Sequence, residues 1–367
     1  MSKEGIVKLI RPELVKFTGY VASKSPEEVA ATARFPINGV IKLDANENPY
    51  GCSPKVMEAL SKYDSFSVYP DSGQRELRKL LQGYTGVSAE HIVASGGSDQ
   101  MIGLITQLFV GPGDEVINCP PTFDMFRFAV ELCNGRVVEV PRDENYYVDV
   151  AAVKKAITKK TKLIFLANPN NPTGTPTPQT DILELLDTGV PVLADEAYVE
   201  FSGETVTPLV KEYKNLMVLR TFSKWAGLAS FRIGYGIFPP EIANYILNIK
   251  MPYSVSAASQ IAVRESLKDR DFLMERVKKI VAEKDRLFEE LKKIEWLEPF
   301  PSKANFIFCQ VLNGTAKQIY EGLMDRSIII RYAETNLLKD FIRISAGKPE
   351  HTDILIKAIR EIEAERA

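Results

Sequence analysis

Histidine is nearly absent: only His91 and His351 occur in 367 residues, in the polar settings Ala89-Glu90-His91 and Pro349-Glu350-His351. A histidine-based triad or a multi-histidine metal site is thereby excluded, and proton chemistry falls to lysine, tyrosine, carboxylates or a cofactor. Cysteine is also scarce. Cys52, Cys119, Cys133 and Cys309 lie 67, 14 and 176 residues apart, so no C-x-x-C or zinc-like spacing exists, and a reducing cytoplasmic setting is expected. Charge of one sign is missing too, with 46 Lys and Arg against 48 Asp and Glu, net −2. No basic field is present to attract nucleic acid or an anionic membrane. Long apolar runs do not occur: the charged opening Met1-Ser2-Lys3-Glu4-Gly5 has no long apolar segment after it, so neither export nor a membrane span is expected.

What is present describes a folded chain. Apolar residues make up 45% and charged residues 26%, the globular range rather than the disordered one. At about 150 residues per domain the length suggests roughly two domains. Short apolar runs bounded by polar punctuation, at 115–118, 136–140, 162–167, 190–194 and 215–219, read as buried strands, and helical patterns at 151–157 and 179–187 lie between some of them. Such alternation predicts an α/β fold, a large domain whose mostly parallel sheet is covered by helices on both faces. Beyond about residue 250 the pattern changes to a long charged helix over 256–294, strands at 304–311 and 328–331 and a final helix to 367, a smaller α+β domain. The expected division is an arm at 1–40 packing with the small domain, a large domain at 41–250 and a small domain at 251–367.

Four segments carry candidate chemistry. In Thr221-Phe222-Ser223-Lys224-Trp225, a lysine after a strand and among apolar residues can lose proton affinity by desolvation and become a Schiff-base amine; the alternative is a snorkelling surface lysine. Ser223 and Arg232, eight residues after Lys224, could hold a phosphate nearby. In Asp195-Glu196-Ala197-Tyr198, Asp195 ends an apolar strand and needs a cationic partner. A protonated pyridine nitrogen would serve, with Tyr198 donating to an oxygen on the same ring; otherwise Asp195 is an N-cap. Asn168 to Gly174 is either a plain turn-rich loop or one whose Asn171 reaches a ring hydroxyl. Ser95-Gly96-Gly97-Ser98-Asp99-Gln100 precedes a helical pattern and is either a glycine-rich cap or a phosphate cradle, without the endings of nucleotide-binding loops. Together these segments describe a site for pyridoxal 5'-phosphate.

The order S-G-G-S-D, N-P-N-N-P-T-G, D-E-A-Y, T-F-S-K and F-I-R-I-S resembles the fold-type I aminotransferases over nearly the whole chain. Within them, Leu43 to Pro49, Tyr69-Pro70-Asp71, Cys119 to Phe123, and Arg11 to Leu14 running on to Tyr20 most resemble histidinol-phosphate aminotransferases. The resemblance implies that Lys224 carries pyridoxal 5'-phosphate and shuttles the proton, while Asp195 keeps the pyridine nitrogen protonated. It also implies that Tyr198 and Asn171 bond the ring oxygen and that Phe123 stacks on the ring. The phosphate falls to Ser98, the Asp99 N–H, Ser223 and Arg232, with Tyr69 contributed from a second subunit of a homodimer. Arg343 becomes the substrate-anion arginine, completed by Arg331 and Tyr20; the partners are a small-molecule amino donor and a 2-oxo acid.

Ser254, Phe123, Ser230 and Asp71 depart from that family's usual asparagine, tyrosine, glycine and glutamate, which leaves two alternatives. One is an aromatic or broad-specificity amino acid aminotransferase, the other a phosphothreonine decarboxylase-like enzyme. A DNA-reading regulator on the same scaffold is not expected, for want of a basic stripe and of spare length before residue 40.

Overall fold

The computed structural model describes residues 5–15, 17–20, 27, 28 and 39–366. Of the expected arm, residues 1–4, 16, 21–26 and 29–38 lie outside the described residues. Among the described residues twelve strands form two sheets. The larger contains β2 (Ile92–Ser95), β3 (Glu115–Asn118), β4 (Arg136–Glu139), β5 (Thr161–Ala167), β6 (Val192–Asp195), β7 (Leu216–Thr221) and β8 (Gly234–Ile237), in the order β2-β8-β7-β6-β5-β3-β4. Strand β8 pairs antiparallel with both β2 and β7, and the remaining pairs are parallel.

Both faces of this sheet are buried, which is why its strands read as continuous apolar runs. Ile164, Leu166, Val192, Ala194 and Val218 belong to the core on one face, and Leu163, Phe165, Leu193, Met217 and Leu219 to the core on the other. The alternation is the period-2 geometry of a strand carried across the central strands. Parallel strands bring their C-terminal ends, and the polar motifs after them, to one edge.

The smaller sheet contains β1 (Ile41–Leu43), β9 (Leu297–Phe300), β10 (Phe306–Val311), β11 (Ile328–Tyr332) and β12 (Phe341–Ser345), ordered β1-β11-β12-β10-β9. Its core of Ile307, Ile328, Ile330, Ile342, Ile344, Leu355 and Ile359 includes the final helix, Pro349–Arg366. The chain crosses between the bodies more often than a simple division at 40 and 250 provides. Strand β1 pairs in parallel with β11, while Ala262, Val263, Leu273, Val277 and Ile280 join the large-sheet core.

The helix expected over 256–294 is two helices, Ala257–Lys268 and Arg270–Leu291, interrupted at Asp269. There the carboxylate accepts from Ser53 Oγ and Lys55 Nζ, both at 2.5 Å. The break lies where the Asp269 backbone leaves helical geometry, at φ −109 and ψ 26, with its side chain drawn to another part of the chain. Among the described residues no helix is long and apolar enough to cross a membrane.

Candidate active site

The C-terminal edge of the large sheet opens into a cavity of about 480 Å³. Lys224, three residues after β7, and Asp195, the last residue of β6, both line it. Burial pushes the Lys224 amine down to about 8, and the Arg343 guanidinium adds to the effect. Its Nζ donates to the Ala45 carbonyl at 2.8 Å. Burial pushes the Asp195 carboxyl up to about 7, opposed by the Ala197 N–H that donates to Oδ1 at 3.1 Å. Among the described residues no cationic side chain hydrogen-bonds Asp195, yet Lys224 is near enough to favour its ionised form. A buried carboxylate facing a cavity in this state suits a ligand that brings a cationic N–H donor.

The same cavity also carries groups whose chemistry suits an anion. Ser98 and Asp99 open the helix Ser98–Phe109, whose first N–H groups lack intrahelical acceptors. Gly97 precedes it at φ +96, and a Cβ there would lie 2.9 Å from Arg232 Nη2. At Gly234 a Cβ would sit 2.6 Å from the Ser98 nitrogen, so β8 backs directly onto the helix start. Arg232, at φ +49, pairs with Asp99 Oδ2 at 3.0 Å. Ser223 shares the wall, its hydroxyl accepting from Thr221 Oγ1 at 2.9 Å.

Phe123, Asn171, Tyr198 and Tyr20 also line this cavity. The three asparagines of the loop after β5 do different work. The Asn168 side chain accepts from the Thr177 N–H at 2.9 Å, and Asn170 bonds Thr122, Thr173 and the Pro121 carbonyl; both hold the loop's shape. Asn171 instead accepts from Arg343 Nη1 and faces the cavity. Arg343, half-buried on β12, also donates to the Asp44 carbonyl, while its Nε is buried with no partner among the described residues. Arg331 stands directly opposite Arg343 in the β11–β12 register. It lines a neighbouring cavity of about 650 Å³ that shares the Tyr20 wall. Tyr69 does not approach within the chain: it is 76% exposed and stacks on Tyr253 at 4.5 Å.

Two residues without an expected role matter here. Glu196, completely buried, accepts from Arg220 Nε and Nη2 at 3.0 and 2.9 Å, from Thr205 and Thr207, and from the Val206 N–H, a network directly behind Asp195. Asn46, at φ +55, donates from Nδ2 to the Tyr198 hydroxyl at 2.8 Å. Only its place in L-D-A-N-E-N-P marked it, because hydrogen bonds spanning 152 residues leave no local pattern. Among the described residues no cluster of three or more His, Cys, Asp or Glu could hold a metal ion.

Known proteins share the sequence and the fold. The family model for aminotransferase class I and II matches residues 38–359. A histidinol-phosphate aminotransferase of Dehalococcoides mccartyi is 52% identical over 97% of this chain and 98% of its own; one of Roseiflexus castenholzii is 42% identical over 97% and 99%. The crystal structure of histidinol-phosphate aminotransferase from Sinorhizobium meliloti in complex with pyridoxal-5'-phosphate superposes with a TM-score of 0.87 at 27% identity, covering 96% of this chain and 99% of that one. With its family model and its full-length relatives in accord, the chain belongs to the class I and II aminotransferases.

Proposed function

We propose that the protein transfers an amino group between L-histidinol phosphate and 2-oxoglutarate, a step of histidine biosynthesis, using pyridoxal 5'-phosphate. The observation that carries the reading is the shared cavity of Lys224 and Asp195, beside a cradle of helix N–H groups, Ser223 and Arg232. Support for the substrate comes from relatives bearing that name at 42% and 52% identity over nearly the whole chain. When bound, the cofactor supplies a carbonyl that captures amines and a protonated ring that delocalises charge from the reacting carbon.

The residues divide the remaining work. Lys224 holds the cofactor and, once released, moves the proton at the reacting carbon, a task suited to an amine lowered to about 8. Asp195 keeps the proton on the ring nitrogen, since a cationic partner relieves its own desolvation. Ser98, the Asp99 N–H, Ser223 and Arg232 bind the phosphate; Phe123 covers a ring face; Asn171 and Tyr198 orient the ring oxygen. Arg343 with Arg331 and Tyr20 receives the anionic ends of the two substrates in turn. Two guanidinium groups in cross-strand register repel each other, and a bound carboxylate or phosphate relieves that repulsion.

A homodimer follows from the same reading, with the Tyr69 of one copy serving the other's cavity. It is supported by the exposed apolar patch of Phe66, Val68, Tyr69 and Tyr253, and a monomer in light scattering refutes it. The cytoplasm suits the four free cysteines.

The function is tested by a panel of amino donors with 2-oxoglutarate, measuring glutamate formed. Histidinol phosphate is expected to lead; turnover of phenylalanine or other common amino acids with none of histidinol phosphate refutes the substrate, and carbon dioxide release indicates a decarboxylase. Lys224→Ala is expected to lose transamination and the covalent retention of cofactor. A fully active variant overturns the catalytic assignment.

A further inference from the structure

The segment 44–48 is hydrogen-bonded to the site and its immediate neighbours. The Asp44 carbonyl accepts from Arg343, the Ala45 carbonyl from Lys224 Nζ, and the Asn48 side chain donates to the Trp225 carbonyl. At its centre, Asn46 is tied twice to Ser345 on the small sheet, its N–H donating to Oγ at 2.9 Å and its Oδ1 accepting from that same hydroxyl at 2.9 Å, and once to Asn305, just before β10, whose Nδ2 donates to its carbonyl at 3.0 Å. A left-handed backbone is one that asparagine tolerates better than most residues.

These bonds settle which way the Asn46 amide faces. The buried Ser345 hydroxyl already accepts from the Asn46 N–H, so its own proton requires an acceptor, and Asn46 Oδ1 is that acceptor. The amide NH2 is therefore left for Tyr198, whose oxygen accepts it at 2.8 Å. An oxygen that accepts from Asn46 turns its single proton away from Asn46, toward the cavity that Tyr198 lines. Reversing the amide would strand the Ser345 proton and make Tyr198 an acceptor toward the cavity.

We propose that Asn46 is a positioning residue: held by Ser345 on the small sheet, it sets the Tyr198 hydroxyl as a hydrogen-bond donor into the cavity. Ser345 lies two residues beyond Arg343 on β12, so the strand that presents the substrate-anion arginine also sets the polarity of the phenol. The inference rests on the reading above, in which Tyr198 faces a ring oxygen of pyridoxal phosphate, and it adds the group that decides the direction of that bond.

The test is a pH titration of visible absorbance in the cofactor-loaded protein, with kcat and KM measured alongside. Asn46→Asp keeps the shape but replaces the donor by an acceptor, so the phenol turns to the carboxylate. Its absorbance midpoint is expected to rise by about one pH unit, as is that of Tyr198→Phe, because a donor to the charged ring oxygen is lost. The double variant is expected to match Tyr198→Phe rather than add to it. Ser345→Ala frees the amide to rotate and is expected to shift the midpoint in the same direction by a smaller amount; it decides the question if Asn46→Asp does not fold. A normal midpoint in folded Asn46→Asp, or in Ser345→Ala where the first variant is unfolded, overturns the proposal while a shifted Tyr198→Phe leaves the cofactor reading standing. An unshifted Tyr198→Phe overturns the underlying reading, and the proposal with it.

Discussion

The state of the Lys224 amine can be measured before any cofactor is added. Its surroundings place the pKa at about 8 instead of the ordinary 10.5, burial contributing most and Arg343 next. At about pH 7.5, an amine of pKa about 8 is about one-quarter neutral, against about one-thousandth for an exposed lysine. Its reaction with an arylating reagent, followed on the Lys224 peptide by mass spectrometry in cofactor-free protein, should titrate with a midpoint near this value. Arg343→Gln removes the second cause and is expected to move the midpoint part of the way back toward 10.5. The unfolded chain binds more protons than the folded one between about 8 and 10.5, so this group's contribution to stability rises with pH through that window. A midpoint above pH 10, or one unmoved or lowered in Arg343→Gln, refutes the electrostatic account of why this lysine is nucleophilic.

Two further substitutions probe the scaffold. Glu196→Ala strands the buried Arg220 charge and is expected to cost about 3–5 kcal/mol in urea denaturation followed by tryptophan fluorescence; a loss under about 1 kcal/mol contradicts the network's structural role. Gly234→Ala places a methyl group 2.6 Å from the Ser98 nitrogen and displaces the start of the phosphate-facing helix. Cofactor affinity measured by absorbance titration is expected to fall at least about tenfold, equivalent to about 1.4 kcal/mol, and unchanged affinity argues against this cradle.

The central strands were legible because each has buried neighbours on both faces: 162–167 and 190–194 have no polar face to confuse the pattern. Strands β1, β2, β8, β9 and β12 were not anticipated as strands. The first is only three residues long and exists by pairing with β11, and β8 contains two glycines, whose strand propensity is low. The helix break at Asp269 was invisible for a similar reason, since the groups that hold its carboxylate lie more than 200 residues away.

Within the site, the amino-acid sequence alone determined the chemical inventory: one lysine after a strand, one carboxylate ending another, an asparagine loop and a glycine-rich helix start. Those features depend on residue type and short spacing, which neighbouring positions express directly. Tertiary structure decided the rest. It separated Asn171, which meets Arg343, from Asn168 and Asn170, which brace the loop, and it joined Asn46 to Tyr198 and Ser345. It also buried Lys224 and Asp195 deeply enough to bring their proton affinities toward each other. Desolvation and hydrogen-bond direction depend on what surrounds a group in space, and those neighbours are assembled only when distant segments pack.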